Sequence, residues 1–134
     1  PLIIAGRKPS VELKLAVEKH HHVKLKANIN TPEIDELITN AQLNVLPTFQ
    51  ATGIKLKLLA ALFNGRYCVV NSPMVVNTGL EGLCSIQNSA DDMAAEIKRL
   101  FELPFDMNEK EKRAAVLNDS FSNETNVKKL IELL

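Results

Sequence analysis

Short apolar runs recur along the first hundred residues, and each predicts a strand that a polar or helical segment follows. Residues 2–6 and 67–70 are almost wholly apolar, which is typical of strands buried on both faces. Residues 23–29 alternate apolar and polar positions and predict a half-buried strand. The remaining strand candidates are the run 43–46, which ends at Pro47, and the run 83–86.

Helix signals fill the segments between these strands. Thr31 is predicted to cap a helix whose first residue is Pro32, because a Thr hydroxyl accepts a backbone hydrogen bond there and Pro needs no intrahelical partner. The apolar positions that follow recur every three or four residues. Similar signals predict helices from Pro9 to about Lys19, over 54–63, from Ser89 to Phe101, over 108–117 and over 126–134.

The regular succession of strands and helices predicts an α/β fold, specifically a Rossmann-like parallel sheet with helices on both faces. A length of 134 residues fits a single domain, with the more charged helices within 105–134 at its C-terminal end. The chain opens at Pro1 directly in a strand-like run. We therefore expect residues 1–134 to be a domain that is truncated at its N-terminal side.

Charge and composition limit the classes of function. Sixteen basic residues balance sixteen acidic ones, so no overall charge attracts the chain to nucleic acid, and any phosphate binding must come from a local cluster. Cys68 and Cys84 lie in apolar segments, where reduced core thiols of a cytoplasmic protein are expected. No apolar run is long enough to span a bilayer.

The loop and helix start at 47–57 carry the richest candidate chemistry, because ligands of open parallel sheets bind beyond the carboxyl ends of the strands. Gly53 permits close approach of the backbone, and a helix from Ile54 would direct unpaired N–H groups and its positive dipole end at the loop. Lys55 and Lys57 oppose that dipole, and a bound diphosphate would reverse this cost. From the residues alone, anion binding and two solvated lysines are equally compatible interpretations.

The segment 53–65, together with the strand 67–70, resembles the donor-site helix of retaining GT-B glycosyltransferases of the family-4 (group 1) kind. That family has a Gly, a basic residue, a Lys, a Leu-Glu-Ala-like stretch, a Gly and an apolar strand in this order. The resemblance covers nearly the whole chain, and its further segments are 2–6 with Lys8-Pro9, 31–41 followed by 43–48, 79–83 and 89–101.

The resemblance implies one half of a GT-B fold, which binds a nucleotide-diphosphate sugar for transfer to a glycan or lipid-linked acceptor, in the manner of a hexosyltransferase. These residues would contact the donor diphosphate: Thr52, Gly53, Ile54, Lys55 and Lys57. Lys26, Ala27 and Asn28 would lie near the nucleotide base. The resemblance implies no metal and no cofactor beyond the donor substrate, and it assigns no catalytic residue.

The resemblance also implies partners and a location. The acceptor domain would be a missing N-terminal half of the same enzyme, and nucleic acid would not be a partner. The enzyme would be cytoplasmic and would reach the inner face of the membrane through that missing half. Because such enzymes transfer the sugar in a cleft between two domains, the isolated chain is expected to be inactive.

One position departs from the family pattern and leaves an alternative open. Ala60 stands where these enzymes have an acid that binds the ribose hydroxyls. The alternative is a non-catalytic α/β module, either a degenerate glycosyltransferase half or a flavodoxin-like partner-binding domain.

Other polar clusters have simpler interpretations. The consecutive histidines His20, His21 and His22 point in different directions in any regular element, so they predict a solvated helix end rather than a metal site. Asp91 and Asp92 are interpreted as helix-capping charges. The charged run 109–113 is interpreted as a solvated helix face.

Overall fold

A computed structural model of this chain describes residues 1–52 and 55–133. The chain divides into two compact units, Pro1–Leu37 and Ile38–Leu134. The paired strands are parallel and helices separate them along the chain, so the predicted α/β class with a Rossmann-like arrangement is confirmed. The strands form two small sheets, one in each unit, and not one continuous sheet. That residues 1–134 form one donor-binding domain stays a prediction.

The first unit contains β1 (Leu2–Gly6), α1 (Val11–Glu18), β2 (Val23–Ala27) and the start of α2 (Thr31–Asn40). β1 and β2 pair in parallel along their whole length. None of residues 1–37, all of which are described, is fully buried, and Leu2 keeps 52% of its surface exposed. The prediction that β1 is buried on both faces is therefore wrong within this chain, because two strands and short helices offer too little cover.

The second unit contains a three-stranded parallel sheet in the order β3-β4-β5. Its strands are β3 (Leu43–Leu46), β4 (Tyr67–Val70) and β5 (Ser85–Ile86). Its helices are α3 (Leu56–Asn64), α4 (Ser72–Val75), α5 (Ala90–Phe101), α6 (Met107–Phe121) and α7 (Asn123–Glu132), with a 3-10 turn at Glu81–Leu83. In the described part of the chain, no helix combines the length and the apolar character that crossing a membrane requires.

The core of the second unit lies against β4. Leu58, Ala61 and Leu62 recur at helical spacing on α3 and are fully buried there. They cluster with Val70 of β4 and with Leu117 of α6. Burial of a leucine side chain contributes about 1.5–3 kcal/mol relative to exposure. The charged helix α6 is therefore part of the folded unit.

Helix starts follow the capping chemistry of the sequence, with one correction. α5 is capped by Ser89, as predicted, because its hydroxyl accepts the Asp92 N–H at 3.0 Å. α2 is capped by Asn30, and the prediction of Thr31 as the cap is wrong. Asn30 Oδ1 accepts the Glu33 N–H at 2.9 Å while the Glu33 carboxylate accepts the Asn30 N–H at 3.1 Å. This reciprocal pair is a capping box, which satisfies the backbone N–H groups of both Asn30 and Glu33.

Several boundaries differ from the predicted ones, including β5, which covers Ser85–Ile86 in place of 83–86 because Glu81–Leu83 form a 3-10 turn. β2 ends at Ala27 and not at residue 29, because Asn28 adopts a left-handed φ of 56° that leaves the strand conformation. α3 begins at Leu56, two residues after the predicted start, and Gly53 and Ile54 lie outside the described residues. α6 extends to Phe121 through most of the predicted linker, so that only Ser122 separates it from α7.

Arg113 corrects the interpretation of 109–113 as a solvated face. Its side chain lies in the second unit with only 6% of the residue exposed. Its guanidinium donates to the Arg66 carbonyl at 2.6 Å and to the Gly65 carbonyl at 2.5 Å. Lys112 and Glu109 of the same run form an exposed ion pair, as the interpretation of a solvated helix face predicts.

Candidate functional site

A cleft opens at the carboxyl end of β3, where the loop after Pro47 leads to α3. Its volume is about 430 Å³. The described residues that line it are Thr48, Gln50, Thr52, Lys55, Leu56, Lys57 and Met74. This edge is where open parallel sheets bind ligands. The structure thus brings together Thr52, Lys55 and Lys57 from the predicted diphosphate contacts, whereas Gly53 and Ile54 lie outside the described residues.

Asn71 holds the first residue of this loop. The Thr48 N–H donates to Asn71 Oδ1 at 2.9 Å, and Asn71 Nδ2 donates to the Thr48 carbonyl at 2.7 Å. The side-chain amide therefore pairs with both backbone groups of one residue, as a neighbouring strand would. This contact ties the loop after β3 to the end of β4. Asn71 was not predicted as a site residue, and the available signal in the sequence was its position directly after a buried strand.

The loop between β3 and α3 is stabilised by hydrogen bonds to its own carbonyls. Thr48 Oγ1 donates to the Gln50 carbonyl at 3.2 Å and accepts the Gln50 N–H at 3.3 Å. Lys55 Nζ donates to the same Gln50 carbonyl at 2.9 Å and to the Thr52 carbonyl at 3.1 Å. The ammonium group of Lys55 is therefore fixed across the loop at the edge of the cleft, with a third N–H donor remaining.

Lys57 supplies the second positive charge of the cleft and is exposed. Among the described residues, its ammonium group has no hydrogen-bond or ion-pair partner. An exposed lysine in the first turn of a helix opposes the dipole by about 0.3–1 kcal/mol. An anion bound in the cleft would convert this repulsion into attraction.

The start of α3 differs from those of the other helices of eight or more residues. α1, α2, α5, α6 and α7 each have an acidic residue in the first turn and a side chain that caps the first backbone donors. In the described residues α3 has neither, and its N-cap position is Lys55. The backbone N–H donors and the positive dipole end at this helix start are therefore available to an external anion.

The predicted base contacts Lys26 and Ala27 are the last residues of β2 in the first unit, Asn28 follows them, and all three are exposed. The Asn28 N–H donates to the Gly6 carbonyl at 2.8 Å, and its side-chain oxygen accepts the Lys8 N–H at 2.9 Å. Asn28 therefore joins the ends of β1 and β2, and its role toward a base stays a prediction.

Acidic groups are absent from the cleft as far as the described residues show. Ala60, which replaces the acid of the family pattern, is partly buried in α3 and carries only a methyl group. Of the described lining residues, Lys55 and Lys57 carry positive charges and none carries a negative charge. This balance suits a diphosphate, but it leaves no carboxylate for ribose hydroxyls.

The polar clusters outside the cleft include the helix-capping aspartates and the three consecutive histidines. Asp92 accepts a hydrogen bond from the Ser89 hydroxyl at 2.6 Å, which confirms its capping interpretation. The His22 ring lies edge-on to those of His20 and His21, with centroids 5.8 and 5.4 Å apart. Across residues 1–52 and 55–133, no group of three or more His, Cys, Asp and Glu side chains could hold a metal ion.

Comparison with known proteins connects this geometry to one family. The family described as "Glycosyl transferases group 1" matches residues 1–102, which include β1 to β5, the cleft and α5. Among curated proteins and solved structures, none matches the chain.

Proposed function

Because this chain belongs to the group 1 glycosyltransferases, we propose that the cleft beside Lys55 and Lys57 binds the diphosphate of a nucleotide-sugar donor. The observation that carries this proposal is the start of α3, which has no acid and no side-chain cap among the residues that the structure describes. It lies beside a loop that Asn71 and Lys55 hold in place. A diphosphate would supply the negative charge that the chain itself does not place there.

The same groups would assist the transfer step. Negative charge grows on the diphosphate as the bond between sugar and phosphate breaks. Positive charge that is fixed in place before the reaction stabilises that growing charge without reorganisation. Lys55 is already held by two loop carbonyls, and Lys57 is available to pair with a phosphate oxygen.

A titration of the chain with UDP and with GDP, followed by NMR or calorimetry, tests the diphosphate site. We expect Lys57→Ala to weaken binding by about 1–2 kcal/mol, roughly 5-fold to 30-fold, because a charged hydrogen bond to phosphate is lost. Uridine and guanosine should bind far more weakly than the diphosphates, since they lack the group that the cleft would hold.

Lys98→Ala is the matched control, because Lys98 is an exposed lysine of α5 that does not line the cleft. It should leave the affinity for the diphosphates unchanged. Equal affinities of the Lys57→Ala chain and the unaltered chain would contradict the proposed site. Equal binding of uridine and UDP would contradict it as well.

A non-catalytic module is the second candidate, and Ala60 is the observation that favours it. Without a carboxylate at that position, the ribose of a donor loses a partner for its hydroxyls. Ala60→Glu distinguishes the candidates: a functional donor site should bind UDP more tightly after this change, whereas a module without donor binding should show no response to UDP before or after it.

The acceptor, the transferred group and the location are proposals that rest on the family resemblance. We propose a hexosyl group as the one transferred and a glycan or lipid-linked molecule as the acceptor. An acceptor-binding half of the enzyme would be the partner of this chain and would bring it to the inner face of the membrane from the cytoplasm. Crosslinking of this chain to a lipid-linked acceptor in the absence of that half would contradict the proposal that a separate half binds the acceptor.

A further inference from the structure

Two cysteines lie side by side at the beginning of β4 and β5. The parallel register pairs Val69 with Ser85, so the preceding residues, Cys68 and Cys84, are neighbours in the same register. Cys84 has an extended backbone, with φ −128° and ψ 154°. Parallel strands lie about 4.7–4.9 Å apart, and a disulfide spans Cα separations of about 4.4–6.8 Å. The separation of these two strands is therefore compatible with a bond between the two sulfur atoms.

The two thiols line a second cleft, which has a volume of about 510 Å³ and lies where β4 and β5 begin. Cys68 is buried, whereas Cys84 is only partly buried. A small reagent that enters the cleft therefore reaches Cys84 first. Both are free thiols in this structure.

Arg113 lies beside the thiols and has an unused donor. Its two terminal nitrogens donate to the carbonyls of Arg66 and Gly65. Its Nε is buried and has no acceptor among the described residues. A buried unsatisfied donor costs about 1–3 kcal/mol, more when the group is charged, so an anion next to Arg113 would be stabilised.

We propose that Cys84 is an oxidant-sensitive thiol, and that it forms an intramolecular disulfide with Cys68 after reaction with a peroxide. The pKa of the Cys84 thiol is lowered, chiefly by a hydrogen bond from Cys68. Arg113 also lowers it, whereas burial and Glu81 raise it. The pKa of Cys68 is raised, chiefly through its contact with Cys84 and then by burial. Cys84 is therefore the more readily ionised thiol of the pair, and the thiolate is the reactive form of a cysteine.

The chemistry proceeds in two balanced steps. The Cys84 thiolate attacks one oxygen of hydrogen peroxide, the O–O bond breaks, hydroxide leaves, and the sulfur is oxidised to a sulfenic acid. Cys68 then loses its proton, and its sulfur attacks the Cys84 sulfur. The S–O bond breaks and an S–S bond forms, and the departing hydroxide takes up the proton as water.

Peroxide treatment of the folded, full chain, followed by mapping of its cysteine peptides without reductant, tests the proposal. We expect a linked Cys68–Cys84 peptide, with the mass of the chain reduced by two hydrogen atoms. In the Cys68→Ser chain the sulfenic acid of Cys84 should persist and be trapped by dimedone. The matched Cys84→Ser chain should give no dimedone adduct at Cys68 under the same conditions.

Competitive alkylation of the unaltered chain provides a test without any substitution. Cys84 should react with iodoacetamide at least about tenfold faster than Cys68 at neutral pH, because it has the greater thiolate fraction and access. Equal rates at the two cysteines, reaction of either only after denaturation, or a disulfide between two chains in place of the internal one would each overturn the proposal.

Discussion

Gly65 occupies a position where the close approach of its neighbours leaves no room for a side chain. It follows the last residue of α3, and its carbonyl accepts a hydrogen bond from Arg113. A Cβ atom placed there would lie 2.7 Å from the Ala61 carbonyl oxygen and against the side-chain nitrogen of Asn44. That nitrogen donates to the Ile38 carbonyl at 3.1 Å. Glycine is therefore required here by packing, since a φ of −88° suits any residue.

We expect Gly65→Ala to lower the free energy of unfolding by about 1–3 kcal/mol, because the added methyl group must displace a backbone carbonyl or the buried Asn44 amide. Gly82→Ala is the matched control, since a Cβ atom at Gly82 meets nothing within 4 Å. That change should be neutral or stabilising by about 0.4–1 kcal/mol. Urea unfolding of the two variants measures both effects, and equal stabilities would contradict this account of Gly65.

Some residues of the candidate site and of the second cleft could be predicted from the sequence, and others could not. Lys55 and Lys57 are recognisable because a cation at a predicted helix start is a local signal. Asn71 and Arg113 act on backbone groups that are 23 and 47 residues away along the chain. The spacing of neighbouring residues contains no information about such distant partners. In the charged run 109–113, the sequence does not show that Arg113 is buried.

At the scale of secondary-structure elements, Glu96 joins α5 to β5. One carboxylate oxygen accepts hydrogen bonds from the Ser85 hydroxyl at 2.7 Å and from Arg99 at 2.8 Å, and the other accepts Arg99 Nε at 2.8 Å. These contacts lower the pKa of Glu96 from 4.5 to about 2, with the Arg99 hydrogen bonds as the largest cause. The helix is therefore attached to the sheet edge through an ionised group.

This pKa predicts a loss of stability in acid. A carboxylate with a folded-state pKa of about 2 and an unfolded value near 4.5 stabilises the fold above about pH 4.5. The contribution disappears as the pH falls from 4.5 toward 2, because protonation favours the unfolded chain. Glu96→Gln should therefore flatten the dependence of the unfolding free energy on pH in this window, as urea unfolding at several pH values would measure.

Two further substitutions separate the contacts of Glu96. Arg99→Gln should flatten the acid dependence more than Ser85→Ala, because Arg99 is the larger cause of the lowered pKa. The opposite order, or a Glu96→Gln chain with the original pH dependence, would show that another group is responsible.

Whether an element is predictable depends on how local its signals are. α5 follows from Ser89, two aspartates in the first turn and an apolar stripe, all within the helix itself. The start of α3 lacks such a cap, and the predicted start is two residues early. The exposure of β1 could not be predicted, because an apolar run does not show how many elements are present to cover it.

At the scale of the whole molecule, the class of fold was predictable because strands separated by helices pair in parallel. The division of the strands into two sheets was not predictable, since it depends on which distant strands pair. The loop after Pro47, which we propose as the diphosphate site, lies in the second unit, and the predicted base contacts lie in the first.

We expect the isolated chain to transfer no sugar from UDP- or GDP-sugars to added acceptors, although it should bind the corresponding nucleoside diphosphates. The reason is the family resemblance, which implies that transfer requires an acceptor-binding half in addition to the donor site. Transferase activity is measured as release of nucleoside diphosphate and as transfer of labelled sugar. Each is compared with a protein-free control. Transfer by this chain that disappears in the Lys57→Ala chain would contradict the expectation.

The match to the family ends at residue 102, but the folded unit continues beyond it. Leu117 lies beyond that limit and is fully buried in the core of the second unit. Arg113 from the same helix supplies donors to the carbonyls of Gly65 and Arg66, just before β4. A protein shortened to the matched segment would keep every residue of the proposed donor cleft, yet it would expose apolar surface and lose the two donors. The boundary drawn by homology is thus the wrong place to cut this chain.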